Sequence, residues 1–204
     1  MPTLEFFFDV SSPWTYLGFE NIQPIAARHG VVIDWRPFLV GGVFNTVNPS
    51  VYAGRENPPP APKRAYQAKD LQDWARYTNI HIGSPAVFPV TSVKAMRGAF
   101  LALERGLLVP YARAMFDAYW GELQDISLDE VLAPVLQRLG IARAEFFSYI
   151  ARDECKARLR ANTEEVMARG GFGSPTIFID GTDMYFGNDR LPLVERRLAE
   201  ASRT

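Results

Sequence analysis

One cysteine in 204 residues, Cys155, has no partner for an intramolecular disulfide, so nothing in the chain demands an oxidising compartment. Histidine is nearly missing too. His29 and His81 are far apart, no HExxH-like spacing exists, and no metal site is expected. The 22 Lys+Arg against 23 Asp+Glu give a net charge of -1, without blocks of one sign. The basic footprint of a nucleic-acid binder is therefore lacking. No apolar run reaches the roughly 18 residues that a membrane span needs. Residues 1–10 lack the basic-then-apolar pattern of a secretion signal. Neither a GxGxxG nor a P-loop pattern occurs. These absences predict a cytoplasmic protein with no nucleic-acid or membrane partner.

What is present is an ordinary globular composition, 48% hydrophobic and 22% charged, on a chain long enough to bury a full core. Residues 4–10 (LEFFFDV) read as a strand buried on both faces. Ser12-Pro13 then opens a helix, with Ser12 as N-cap and Pro13 at the first helical position. Gly30 closes it, and Pro24 inside should kink it. Residues 31–39 read as a second strand, parallel to the first through a βαβ connection. Residues 40–62 are dense in Gly, Asn and Pro and read as a long structureless loop, functional or merely connecting.

Helical patterns follow over 65–77, 91–105, 111–120, 127–139, 143–151 and 153–169. Ser127 with Glu130 reads as a capping box for the fourth. Strand patterns return at 175–180 and 183–186 around the Asp180-Gly181 turn, and a last helix is expected over 191–202. The expected fold is α/β. One four-stranded mixed sheet (βαβ…ββα) is built from 1–62 and 170–204, with an all-helical insertion over 63–169.

Three segments carry candidate chemistry. The turn after the first strand, residues 9–14, lies where α/β sheets bind ligands, at a helix N-terminus that favours anions and thiolates. On spacing alone Ser12 is more simply a cap. Ser174-Pro175 opens a strand. A cis bond there would present the Ser174 backbone to an extended peptide, although trans is the commoner state. Phe186-Gly187-Asn188-Asp189 leads into the last helix. Asn188 and Asp189 suit an amino-acid-like group or simply cap that helix. Cys155 has no evident partner and reads as structural.

Taken together and in order, FFFDVSSPWTYLGFE, the segment holding Lys63-Arg64-Ala65-Tyr66 with Asp70, Leu71 and Trp74, Phe88-Pro89, GFGSPTIFIDG and MYFGNDRL resemble the 2-hydroxychromene-2-carboxylate isomerase family and the kappa-class glutathione transferases. The resemblance implies a thioredoxin-like fold with an inserted helical domain, as in the DsbA oxidoreductases. Where those carry Cys-x-x-Cys, this chain has Ser12-Pro13-Trp14-Thr15, which excludes thiol–disulfide exchange at that site. Glutathione is then the implied cofactor, its sulfur contacted by Ser12. The resemblance gives Ser174 and Pro175 to its cysteinyl part, Phe186, Gly187, Asn188 and Asp189 to its γ-glutamyl end, and Lys63 to its glycyl carboxylate.

The isomerases also carry a lysine after the second strand, where this chain has Val43 or Phe44. Phe44, Phe88 and Arg97 are the substrate-side candidates. Arg97 would replace the missing cation, although a solvated helix face explains it more simply. The resemblance implies a homodimer and a glutathione-dependent cis–trans isomerase acting on an aromatic or enone-type carboxylate. The alternatives are a kappa-like transferase and a thioredoxin-like binding module without chemistry.

Overall fold

The computed structural model describes residues 2–201, the side chains at 55 and 56 excepted. Four strands form one mixed sheet in the order β2-β1-β3-β4: β1 Leu4–Phe8, β2 Ile33–Pro37, β3 Thr176–Ile179 and β4 Asp183–Phe186. β1 and β2 are parallel and joined by α1, Pro13–His29. β3 runs antiparallel to both of its neighbours, with Phe6 opposite Trp35 on one side and Ile177 on the other.

The pleat sends alternate side chains of β1 to opposite faces. Leu4, Phe6 and Phe8 enter the larger core with Phe19 and Ile22 of α1 and with Leu191 and Leu198 of α10, Leu191–Ala201. Phe7 enters a smaller core with Phe38, Val40, Val43, Val166 and Phe178. Phe6, Phe7 and Phe8 are fully buried. Each burial contributes about 1.5–3 kcal/mol, which is why this strand carries no alternation of apolar and polar residues.

α1 is specified locally. Ser12 is extended (φ -109, ψ 123) and its side chain accepts the Thr15 N–H, with Pro13 following at the first helical position. Gly30 stops the helix at φ 65, a left-handed conformation that a Cβ would strain. Pro24 lies within the helix on its exposed side, and the helix runs on through it.

The stretch 40–62 is not structureless. It holds α2, Val40–Thr46, and α3, Ser50–Glu56, and α4, Ala61–Tyr77, begins ahead of position 63. Neither short helix has a side-chain cap. Groups distant in sequence hold α2 instead. The Val40 N–H donates to Asp9 Oδ2 at 2.9 Å, and the Leu39 N–H donates to Thr163 Oγ1 at 3.0 Å.

Four further helices are α5 Val93–Glu104, α6 Leu108–Phe116, α8 Arg143–Ala151 and α9 Asp153–Ala168. The helix expected to reach 120 ends as a wider π-type turn over Asp117–Gly121. The capping box expected at Ser127 does not form. The Ser127 N–H donates to Asp125 Oδ1 at 2.9 Å, and α7, Asp129–Arg138, starts after Leu128 without a side-chain cap. The final helix is described to Ala201, and its expected last position, 202, lies outside the described residues.

The helical segment does not stand apart from the sheet. Tyr16 of α1 stacks on Phe116 at 4.8 Å, and the Trp120 indole N–H donates to the Val10 carbonyl at 3.0 Å. One continuous core runs through both. The strand order and connections are those of a thioredoxin fold in its DsbA-like form, a four-stranded mixed sheet carrying inserted helices.

Candidate active site

A cleft of about 1010 Å³ opens beyond the carboxyl end of β1. Asp9, Ser12 and Trp14 form its floor at the head of α1. Phe44 and Tyr52 stand on one wall, Lys63 and Gln67 project from α4, and Phe88 lies on the side of the helical segment. α/β sheets characteristically bind ligands at this end of their strands. Mixed apolar walls with few polar groups are usual for small-molecule sites of this size.

Ser12 is engaged twice. Its Oγ accepts the Thr15 N–H at 3.2 Å and donates to the Ser174 carbonyl at 3.3 Å. Ser174 precedes Pro175 through a cis peptide bond. The Ser174 hydroxyl is buried, accepts the Asp9 N–H at 3.1 Å and lies 2.7 Å from the Thr15 hydroxyl. Pro175 sits against α1 so closely that a Cβ on Gly18 would come within 3.0 Å of its ring. The Gly187 N–H donates to the Pro175 carbonyl at 3.1 Å, and Phe186 pairs with Thr176 in the sheet. Ser12, Ser174, Pro175 and Gly187 thus follow one another across the end of the sheet.

Asp9 is the residue that sequence reasoning underused. It is 1% exposed, yet it lines the cleft. Burial pushes its carboxyl above the usual range, against the pull of hydrogen bonds from Ser11, Val40 and Ser92. The Ser11 N–H and hydroxyl both donate to Oδ1 at 2.9 Å, and the Val40 N–H binds Oδ2. One carboxyl therefore ties together the α1 turn, α2 and the start of α5. A carboxylate directly after the aromatic run Phe6–Phe8 was the available signal. Thr15, fully buried and held to Ser174, carried no signal at all.

The remaining candidates divide. Phe44, Phe88 and Lys63 share the cleft with Ser12. Asp189 is exposed beside Gly187 and pairs with Arg190 at 2.7 Å. Asn188 is buried, and its side chain meets Asn21 of α1 at 2.8 Å rather than lining the Ser12 cleft. Arg97 does not line the cleft either. Its carbonyl accepts from the Cys155 thiol at 3.6 Å, and burial pushes that thiol up. Among the described residues no cluster of His, Cys, Asp or Glu could hold a metal ion, and no helix is long and apolar enough to cross a membrane.

Known proteins resemble this chain over nearly its whole length. The family model for the DSBA-like thioredoxin domain matches residues 3–199. A 2-hydroxychromene-2-carboxylate isomerase of Pseudomonas putida is 28% identical over 202 residues, 98% of this chain and 96% of its own. Glutathione s-transferase kappa 2 of Caenorhabditis elegans is 31% identical over 216 residues, 97% of this chain and 92% of its own. A solved 2-hydroxychromene-2-carboxylate isomerase superposes with a TM-score of 0.81 at 27% identity, covering 98% of this chain and 96% of that one.

Proposed function

The chain belongs to the DSBA-like thioredoxin domain family, and from that premise we propose that it is a glutathione-dependent cis–trans isomerase of the 2-hydroxychromene-2-carboxylate isomerase type. The observation that carries this reading is Ser12. Its hydroxyl stands at the head of α1 in the cleft, beside the Ser174–Pro175 turn, and no cysteine occupies residues 12–15.

The residues present suit the tripeptide. A helix N-terminus carries about half a positive charge, which favours a sulfur anion. Lys63 offers an ammonium for a carboxylate, the Ser174 backbone an edge for an extended peptide, and Asp189 a carboxylate for an amino group. Bound glutathione would supply a sulfur nucleophile that adds reversibly to an activated double bond, allowing rotation before it leaves. Ser12 would turn its hydroxyl proton from the Ser174 carbonyl to the sulfur, while Thr15 keeps hold of the same oxygen. Trp14, Phe44 and Phe88 would pack on a flat second reactant and keep water from it. Asp9 would hold the walls in place. A cytoplasmic homodimer belongs to the same reading, as does a helical insertion over 63–169.

A kappa-like transferase is the second reading, supported by the 31% identical Caenorhabditis elegans relative. Product mass separates the two. An unchanged mass supports isomerisation and a glutathione adduct supports transfer. The prior test is thermal stability with millimolar glutathione. A ligand at 100 times its Kd stabilises the native state by about 2.7 kcal/mol. No shift at any concentration would leave only a binding module of another kind.

A further inference from the structure

A second cavity, about 520 Å³, opens between α1, α4 and α10 and shares no lining residue with the Ser12 cleft. Its walls are largely apolar: Pro24, Ile25, Trp74, Tyr77, Leu191 and Pro192. Trp74 and Tyr77 meet edge to face at 5.8 Å and form a corner of two rings. The charged groups at its rim are already matched. Arg28 pairs with Glu195 at 2.8 Å, and Asp73 pairs with both Lys69 and Arg76. A charged ligand would have to break these pairs, whereas a neutral one would not.

Asn188 also lines this cavity and is 2% exposed. Its Oδ1 accepts from Asn21 Nδ2 at 2.8 Å, but its own Nδ2 has no hydrogen-bond partner. Turning both amides over would only leave an unpaired oxygen in place of the unpaired N–H. Buried amide groups nearly always have a partner. This one belongs to a residue on the wall of a ring-lined cavity, and its nitrogen lies just beneath the surface, so a ligand completes it when the side chain turns toward the cavity.

We propose that this cavity is a second small-molecule site, taking a flat, uncharged ligand of one or two rings whose carbonyl oxygen accepts from Asn188 Nδ2 as that side chain turns toward the cavity. The rings lie against Trp74 and Tyr77, where edge and offset contacts favour an aromatic partner. The volume falls within the roughly 300–1,000 Å³ of small-molecule pockets. Nothing in this inference requires glutathione or a reaction at Ser12.

The test is titration of the bicyclic ketone 1-tetralone into the full-length ¹⁵N-labelled chain, observing the Asn188 side-chain amide resonances in the parent and the indole N–H of Trp74, which lines the cavity, in the parent and both variants. The expected result is a saturable shift. Asn188→Leu, which fills the space but cannot donate, is expected to weaken binding about tenfold, the worth of one hydrogen bond to a buried group. Tyr77→Ala alters an exposed ring, so it tests the corner without threatening the fold. It should weaken tetralone binding and leave the glutathione thermal shift unchanged. A shift that never saturates, or equal affinity in both variants and the parent, overturns the proposal. So does self-association in sedimentation that is lost in Tyr77→Ala, because the cavity would then belong to a second copy. Should Asn188→Leu not fold, the parent titration and Tyr77→Ala still decide the matter.

Discussion

The Ser12 hydroxyl donates to the Ser174 carbonyl at 3.3 Å across 162 positions of sequence. The same oxygen caps α1 through the Thr15 N–H. Capping and site chemistry are therefore two duties of one atom. Ser12→Ala removes both. The lost cap should cost about 1 kcal/mol, a fall in Tm of roughly 2–4 °C for a chain of this size. The pKa of the bound thiol should rise, moving the acid limb of the pH–rate profile to higher pH. A profile superimposable on that of the parent would remove Ser12 from the sulfur.

Lys63 is the cation assigned to the glycyl carboxylate. Its side chain is exposed, so solvent screens whatever pair it makes. Lys63→Met should weaken glutathione binding by a modest factor, about 1.5- to fivefold, in titration calorimetry. A glutathione analogue amidated at the glycyl end should bind the parent and the variant alike. If the variant discriminates against the analogue as the parent does, Lys63 is not the partner.

Asp9 makes a prediction about pH whose sign follows from its burial. Its folded-state pKa lies above 3.8, so the native chain holds this proton more tightly than the unfolded chain. That contribution to stability is complete below pH 3.8 and is lost as the pH rises through the folded-state pKa. Asp9→Asn cannot titrate. The unfolding free energy of the parent minus that of the variant, from urea melts, should be greater at pH 3 than at pH 7. A difference that does not change with pH would mean that burial does not govern this carboxyl.

Trp120 links the helical segment to the reactive turn through its hydrogen bond to the Val10 carbonyl. Trp120→Phe keeps an aromatic ring but leaves that carbonyl unpaired, a cost of about 1–3 kcal/mol. Calorimetry should show a lowered Tm. An unchanged Tm would mean that the carbonyl finds water instead.

Gly98 on α5 packs where a Cβ would overlap the Phe146 ring and the Tyr111 hydroxyl. Tyr111 in turn donates to the Ala95 carbonyl at 2.8 Å. Gly98→Ala should therefore destabilise by about 1–3 kcal/mol through overpacking, although alanine is the better helix former. A gain in stability in urea melts would show that α8 can shift away.

The sequence alone determined what neighbours within a few residues control. The Ser12-Pro13 start and Gly30 stop of α1, the buried aromatic run of β1 and the β3–β4 hairpin rest on capping, backbone strain and side-chain periodicity. The order of elements, and with it the mixed sheet, followed from these. Tertiary structure decided the rest. α2 forms in a Gly-rich stretch because Asp9 and Thr163 supply its missing hydrogen bonds and because Val40 and Val43 bury against Phe7 and Val166. No local pattern encodes partners 31 and 124 positions away. The Ser127 N–H, which a capping box would give to the Glu130 side chain, goes to the Asp125 carboxylate instead. Asn188 and Asp189 are adjacent in sequence, yet one is buried against Asn21 and the other faces solvent. Which of two neighbouring side chains meets a ligand depends on how α10 packs against α1, and that is a property of the assembled core.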